Sequence, residues 1–181
     1  MQVRHRKGLR PCKLEFLDVY VKGCGFSAKW CQWIYTCIST VKFSVLVNGS
    51  AQGFFPSIRG LRQGDPLSPS LFVIVMEALS RMLERAITGD YIIGFTVGDL
   101  TGTKLSISHM LFANDTLIFR GVDTEQTWHL RGVFIWFQAK SDLKINLSKS
   151  ELVLVEQVLN VAKLACILGC RVAAFFFFFE K

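Results

Sequence analysis

The spacing of apolar residues alternates along the chain between the period of a helix and that of a strand. After Ser27, whose hydroxyl can cap a helix, apolar side chains recur at helical spacing and predict a helix to about Ser39. Every second residue from Phe43 to Val47 is apolar, and the Asn48-Gly49 dipeptide that follows is typical of a tight hairpin turn. The first part of the chain therefore predicts a helix followed by a β-hairpin.

A longer helix is predicted to begin at Ser68. Pro69 would be its first helical residue, where a proline loses no hydrogen bond, and the helical spacing continues to about Ala86. Glu77 and Arg81 stand four residues apart and are placed to form an ion pair. The stripe that this helix buries is predicted to comprise Leu71, Val75, Ala78 and Met82.

A second hairpin is predicted between Leu105 and Phe119, where the period returns to two. Its turn would span Ala113–Thr116, and a third helix would start in the capping pair of Asp123 and Gln126. Strand-like alternation resumes from Leu143, so the whole order predicts an α+β fold in which helices pack on one face of an antiparallel sheet. The residues predicted to share one face of the second hairpin are Leu105, Ile107, His109 and Leu111, and the alternation resumes after the turn at Leu117 and Phe119.

Composition excludes several classes of protein. With 181 residues, of which 51% are apolar, the chain has the content of one globular domain and not of a disordered segment. Neither a membrane-spanning apolar run nor a secretory signal is recognisable, so we expect an intracellular protein of unknown compartment. The six cysteines lack the C-x-x-C spacing and are expected to be reduced and buried, and the three histidines lack the spacing of a zinc site.

The formal charge of +7 is concentrated near the N-terminus. Five basic residues precede the first acid, Glu15, and leave 16 basic against 14 acidic residues, or about +2, in the rest of the chain. Such a segment is typical of a flexible solvated tail, and by itself it supports nucleic-acid binding only weakly. The five residues are Arg4, Arg6, Lys7, Arg10 and Lys13.

Two segments carry polar residues where chemistry is plausible. In Gly60–Pro69, the glycines permit close backbone approach and the following helix N-terminus suits an anion, although a plain loop before a capped helix has the same features. Asn114-Asp115 lies in the turn of an apolar hairpin, where it serves the turn itself or holds a carboxylate that binds Mg²⁺. Lys144, Asn146 and Lys149 offer phosphate ligands, or else form the solvated face of a strand.

Taken in order, four segments resemble the reverse transcriptase of a non-LTR, LINE-type retrotransposon, most closely the plant elements. They are Phe43–Gly49, the decapeptide Gly60–Pro69, the hairpin Phe112–Thr116 and the segment Leu143–Ser150. The decapeptide matches the family motif almost letter for letter, and the resemblance covers about residues 23–169. It implies an RNA-directed DNA polymerase with a palm domain, two Mg²⁺ ions as cofactors, and an RNA template with a DNA primer as partners.

The resemblance also implies roles for individual residues. Asp115 and the degenerate position Asn114 correspond to the catalytic carboxylates of the hairpin, with Asp115 left as the metal ligand. The positions that would contact nucleotide and template are Arg62, Gln63, Gly64 and, near the triphosphate, Lys149.

This copy departs from the family pattern at both metal-binding carboxylates. Asn114 replaces the first hairpin aspartate, and the chain runs from Cys12-Lys13-Leu14 directly into a helix-like segment, so the earlier aspartate is missing unless Glu15 replaces it. A further departure is Asp142, which replaces a family glycine at a helix end where a positive φ is expected.

We therefore predict a catalytically inactive fragment of a palm domain with fingers and thumb largely missing. The alternative is a non-enzymatic relic that binds nucleic acid weakly, or an unfolded pseudogene product. We divide the chain into a basic tail with a remnant of the first palm strand (residues 1–22), the partial palm (residues 23–169), and a degenerate Phe-rich tail (residues 170–181), which is a hazard for aggregation.

Overall fold

The computed structural model describes residues 2–4, 14–56, 66–98, 104–113, 115–154, 158 and 160–173. These residues belong to two compact units. The hairpin unit takes its described residues from 8–75 and 139–143, and the sheet unit takes its own from 1–7, 76–138 and 144–181. Helices and small sheets make up both units, which confirms the α+β class.

The elements follow one another in an order that mixes strands and helices throughout. In chain order they are β1 (Gln2–Arg4), α1 (Leu14–Gly23), α2 (Ala28–Ser39), β2 (Lys42–Val47), β3 (Ser50–Pro56), α3 (Ser68–Thr88), β4 (Phe95–Gly98), β5 (Lys104–Ile107), β6 (His109–Phe112), β7 (Asp115–Ile118), α4 (Thr124–Ser141), a short 3₁₀ helix (Leu147–Lys149), β8 (Glu151–Leu152), α5 (Val161–Leu168) and β9 (Arg171–Val172).

The first helix and hairpin predicted from the sequence are confirmed in the hairpin unit. The Ser27 hydroxyl accepts a hydrogen bond from the backbone N–H of Trp30 at 3.3 Å, which caps α2. Strands β2 and β3 pair around Asn48 and Gly49, whose φ angles of 50° and 80° are the positive values that a tight hairpin turn requires. The helices α1 and α2 pack together through Leu17, Val21, Cys31 and Ile38, all of them buried.

Helix α3 confirms the predicted element with a small change at its start. The N–H of Leu71 donates to the carbonyl of Leu67, so the helix begins one residue before the predicted position and Pro69 is its second residue. Glu77 and Arg81 form the predicted ion pair at 3.2 Å on the exposed side. Of the predicted stripe, Leu71, Val75 and Ala78 are buried, and Met82 is half-buried.

The sheet unit is built on a five-stranded sheet in the order β6-β7-β1-β8-β9. Its neighbouring strands are antiparallel except for β8 and β9, which pair in parallel, so the predicted all-antiparallel sheet is wrong at this edge. A separate pair, β4 with β5, completes the strands described in this unit. The side chains of Leu130, Phe134 and Phe137 on α4 are buried and contribute to the core.

Only a short part of the N-terminal segment tests the expectation of a flexible tail, because four of its five basic residues lie outside the described residues and Arg4 is in a strand. Residues Gln2–Arg4 form β1 in the middle of the sheet, paired with β7 on one side and β8 on the other. The physical reason is that hydrogen bonds from two strands stabilise a segment whose own sequence has no strand pattern. The Cys12-Lys13-Leu14 segment, expected to be a strand remnant, has Leu14 as the first residue of α1, and its other two residues lie outside the described part.

The second predicted hairpin differs from the structure in its register. The strand predicted from Leu105 is interrupted at Ser108: β5 pairs with β4, and β6 pairs with β7. Thr116 and Ile118 are the buried residues of β7, whereas Leu117 is 40% exposed, so the apolar alternation at Leu117 does not mark the buried side of the strand. The turn is two residues shorter than predicted, a change that keeps each side chain on its face, so the buried residues of β7 are the register partners of Leu111 and His109.

The last third of the chain combines a confirmed helix with one that was not predicted. The carboxylate of Asp123 accepts a hydrogen bond from the N–H of Gln126 at 3.2 Å, which caps α4 as expected. The strand expected after Leu143 is replaced by irregular chain and the 3₁₀ helix, and α5 had no counterpart in the predicted order.

The cysteines were expected to be reduced and buried. Five cysteines lie in the described part and none of them forms a disulfide, but only Cys31 is buried, while Cys37 and Cys166 are exposed. Within the same residues, no helix combines the length and apolar character needed to cross a membrane.

Candidate functional site

Asp115 lies at the start of a strand and not at the tip of the hairpin. It is the first residue of β7, where it pairs with Phe112 of β6, and its side chain is half-buried. The next residue, Thr116, is fully buried and anchors the strand in the sheet. Position 113 makes the turn with a φ of 49°, a value uncommon for alanine. Asp115 is therefore held by the ladder of a packed sheet.

Strand β1 separates Asp115 from Lys149. Arg4 of β1 is the register partner of Asp115 on one side, and Gln2 pairs with Glu151 of β8 on the other. Lys149, two residues before Glu151, ends the 3₁₀ helix that contacts β1, and its side chain is exposed. Adjacent strands lie about 4.8 Å apart, so the backbones of Asp115 and Lys149 are separated by about 10 Å, near the same end of β1.

This end of the sheet, which we call its basic end, holds Arg4 and Lys149 beside Asp115. Lys149 lies in a 3₁₀ helix and not on the strand that the sequence predicted. Arg4 ends β1 at the same end of the sheet, and the next basic residues in the sequence, Arg6 and Lys7, lie outside the described part of the chain. Basic side chains are the groups that contact phosphates in nucleic acids, so the arrangement suits an anionic ligand.

The strands on either side of Asp115 supply no second acid. Strand β1 consists of Gln2, Val3 and Arg4, and β6 consists of His109, Met110, Leu111 and Phe112. In the described part of the chain, no three His, Cys, Asp or Glu side chains gather as a metal site would require. Two divalent ions need several carboxylate ligands, so the described residues do not fit the pair of Mg²⁺ ions that the family resemblance implies.

A histidine on the neighbouring strand joins the hairpin to α3. The Nε2 atom of His109 lies 2.6 Å from the Ser80 hydroxyl, and its Nδ1 atom lies 2.9 Å from the Ser108 hydroxyl. Burial lowers the pKa of His109, and the charges of Glu84 and Glu77 oppose this effect. The neutral ring therefore fixes β6, and with it the β6–β7 hairpin, to the helix. Sequence reasoning missed this contact because Ser80 and His109 are distant in the chain.

The remaining candidate residues fall into three groups. Glu15 is exposed in the first turn of α1 in the hairpin unit, where a negative charge stabilises a helix. Lys144 is exposed, and the Asn146 side chain accepts a hydrogen bond from the Ser148 hydroxyl at 2.7 Å, so Asn146 has a local structural role. Four predicted site residues lie outside the described residues: Arg62, Gln63, Gly64 and Asn114.

Comparison with known proteins relates this geometry to one family. The model of the family described as reverse transcriptase (RNA-dependent DNA polymerase) matches residues 5–172. The chain is also similar to an uncharacterised mitochondrial protein of Arabidopsis thaliana, with 40% identity over 84 residues. That match covers 46% of this chain and 66% of the relative. The range matched by the family model includes Glu15, Asp115 and Lys149.

Proposed function

Because the chain belongs to the reverse transcriptase (RNA-dependent DNA polymerase) family, we propose that it is a palm fragment of a non-LTR, LINE-type retrotransposon enzyme that does not synthesise DNA. The observation that carries this proposal is the surroundings of Asp115. Its sequence neighbour is Asn114, and both strands that pair with β7 lack an acidic residue.

The chemistry of phosphoryl transfer explains why this arrangement is insufficient. Polymerases of this class place two divalent ions on aspartates, which activate the primer hydroxyl and stabilise the leaving group. An asparagine offers one neutral oxygen and does not offset the charge of a divalent ion. Asp115 alone supplies a single negative charge in the sheet next to β1, and Glu151, the acid nearest in register, pairs with the opposite end of β1.

A second function, weak binding of RNA or DNA, is supported by the basic end of the sheet. Lys149 is exposed beside β1, and Arg4 lies at the same end of that strand. Phosphate contacts of this kind give affinity without sequence specificity. Under this proposal the RNA template and DNA primer of the family are partners that the chain binds but does not extend.

The palm assignment keeps the boundaries expected from the sequence, with residues 23–169 as the partial palm. The five-stranded sheet adds β1 to that region, because β1 lies between β7 and β8. We therefore propose that residues 2–4 take the place of the palm strand that the sequence placed at Cys12-Lys13-Leu14.

Primer extension tests the proposal directly. The purified chain is incubated with a poly(rA) template, an oligo(dT) primer and dTTP, in Mg²⁺ and separately in Mn²⁺, and fluorescence anisotropy of the labelled primer–template follows binding in the same samples. We expect salt-sensitive binding without extension. Template-dependent extension by the wild-type chain would show that the proposed inactivity is wrong, and salt-insensitive binding would contradict the phosphate contacts.

A further inference from the structure

A serine of α3 and a histidine of β6 form a hydrogen-bonded pair within the sheet unit. The hydroxyl oxygen of Ser80 lies 2.6 Å from Nε2 of His109, and the hydroxyl oxygen of Ser108 lies 2.9 Å from Nδ1 of the same ring. Enzymes activate a hydroxyl by placing it against a base that a third group orients. We call these three residues the Ser80–His109–Ser108 cluster, and they have the contacts of such an arrangement.

The two distances assign the direction of each hydrogen bond. Bonds donated by an O–H group are typically about 2.7 Å long, and bonds donated by an N–H group are about 2.9 Å long. The shorter distance therefore assigns the Ser80 hydroxyl as donor to Nε2, and the longer one assigns the Nδ1–H group of His109 as donor to Ser108. In this tautomer Nε2 is the atom that can take the proton of Ser80.

Ser108 is held in place from two sides. Its carbonyl accepts a hydrogen bond from the N–H of Phe119 at 2.8 Å. A Cβ atom at Gly94, just before β4, would lie 3.5 Å from the Cα atom of Ser108 and 3.3 Å from the hydroxyl oxygen of Ser106, so glycine permits this close approach. The acceptor of the Nδ1–H bond is therefore fixed, and it orients the His109 ring toward Ser80.

The cluster lies at the border between the core and the solvent. Leu79 and Leu83, which are close to Ser80 on α3, are buried. The side chains of Ser80, Ser108 and His109 are each half-buried. The Ser80 hydroxyl is therefore packed firmly enough to keep its geometry and is still within reach of a reagent in solution.

Two acids of α3 determine the charge beside the cluster. Glu77 stands three residues before Ser80 and Glu84 four residues after it, so both lie on the same side of the helix, and both are exposed. Burial is the largest effect on the pKa of His109 and lowers it, while the charges of Glu84 and then Glu77 oppose this effect. Negative charge stabilises the imidazolium that forms when His109 takes a proton, and it disfavours an anionic reactant.

We propose that Ser80 is a nucleophile activated by His109, and that it accepts an acyl group from an uncharged or cationic activated ester. The Ser80 oxygen forms a bond to the carbonyl carbon of the ester, and the Ser80 proton passes to Nε2 of His109. The bond from that carbon to the leaving oxygen breaks, and the leaving alcohol takes the proton from Nε2. The products are acyl-Ser80 and the free alcohol, with His109 neutral again.

Labelling of the wild-type chain tests the nucleophile. A fluorophosphonate reacts with an activated serine, whose oxygen displaces fluoride from phosphorus while its proton passes to the base. We expect peptide mass spectrometry to locate the label at Ser80. The labelling rate should follow the neutral fraction of His109, and it should therefore fall as the pH decreases below 6.5.

Two results on the wild-type chain would overturn the proposal, and neither requires a variant to fold. One is the absence of label at Ser80. The other is a label at Ser108 in place of Ser80, which would assign the reverse direction to both hydrogen bonds.

Variants then test the base. Ser80→Ala should remove the label, and His109→Gln should slow labelling by about 100-fold or more, because glutamine does not take the proton. The matched control is Ser39→Ala, which removes an exposed serine at the end of α2 and should leave the rate unchanged. Circular dichroism checks that each variant is folded. An equal rate in folded His109→Gln would contradict the role of His109.

Ser108 is a positioning residue in this proposal, so its test includes a rescue. Ser108→Ala should slow labelling by about tenfold because the His109 ring loses its orientation. Ser108→Thr keeps the hydroxyl and should restore the rate. Equal rates in the alanine and threonine variants would remove the Ser108 hydroxyl from the proposed mechanism.

A pair of aryl acetates tests the substrate class. One carries a trimethylammonium group and the other a carboxylate at the same ring position, and each rate of Ser80 acetylation is divided by the rate with free imidazole. We expect the chain to prefer the cationic ester by about fivefold at low salt, and Glu84→Gln to reduce this preference to about twofold. The control Glu125→Gln removes an exposed acid of α4 and should leave it unchanged. A preference for the anionic ester would overturn the proposed class.

Discussion

Arg4 of β1 lies directly opposite Asp115 of β7 in the antiparallel register of the central sheet. A strand next to a metal-binding hairpin is where a second carboxylate could be held at short range, and here the residue opposite Asp115 is basic. The opposite neighbour of Asp115, Phe112 of β6, is apolar. Among the described residues, the strands that pair with β7 therefore place no second acid opposite Asp115, which is the basis for proposing a palm fragment that binds nucleic acid and does not extend it.

Replacing Lys149 is expected to weaken nucleic-acid binding. Lys149→Ala removes one phosphate contact at the basic end of the sheet, so the slope of log K against log salt should decrease by about 1. Fluorescence anisotropy of a labelled primer–template at several salt concentrations measures this slope. The control is Lys163→Ala, which removes an exposed lysine from α5. Equal slopes for the two variants would remove Lys149 from the proposed contact surface.

The stability of the sheet unit is expected to decrease in mild acid because of His109. Its pKa is lowered in the folded chain below the ordinary value of 6.5, so the unfolded chain binds more protons. The stabilisation is complete above pH 6.5 and is lost as the pH falls through the folded pKa. Urea unfolding at a series of pH values measures the effect.

The matched variants for this experiment are two histidine replacements. His109→Gln should flatten the pH dependence below pH 6.5, because the titrating group is gone, whereas His129→Gln keeps His109 and should retain it. A stability that rises on acidification in the parent chain would contradict the assignment, as would an unchanged slope in His109→Gln.

Asp142 is a position where a substitution is expected to stabilise the chain. It follows the last residue of α4 and has a φ of 63°, a conformation that glycine adopts without steric cost. Asp142→Gly should raise the free energy of unfolding by about 0.5–1 kcal/mol, measured by urea unfolding. Asp142→Ala, which keeps the Cβ atom and loses the carboxylate, serves as the control and should give no gain. A lower stability of Asp142→Gly would show that the Asp142 side chain contributes more than the strain costs.

The sequence predicted those helix starts and turns that are determined by residues a few positions apart in the chain. Ser27 and Asp123 cap their helices as expected, and the Asn48-Gly49 turn has the expected positive φ angles. The positive φ of Asp142 was likewise predictable, from the glycine that the resembling family has at this position. In each case the responsible hydrogen bond or steric effect acts between near neighbours, so it is visible in the sequence.

Long-range contacts account for the elements that the sequence did not reveal. Strand β1 depends on hydrogen bonds to β7 and β8, more than 100 residues away, and nothing in Gln2-Val3-Arg4 marks it as a strand. The buried side of β7 holds Thr116 and Ile118, which the apolar spacing of Leu117 and Phe119 does not reveal. The same limit applies to the candidate site, since the position of Lys149 beside β1 follows from the sheet and not from its own segment.

The most direct test of the central claim is primer extension by Asn114→Asp. This variant restores the first acid of the hairpin, but the strands that flank Asp115 still lack the second carboxylate position. With a poly(rA) template, an oligo(dT) primer, dTTP and Mg²⁺ or Mn²⁺, and with an active reverse transcriptase as positive control, we predict no template-dependent extension by Asn114→Asp. Robust DNA synthesis by this variant would contradict the account, because it would show that one substitution completes a working metal site.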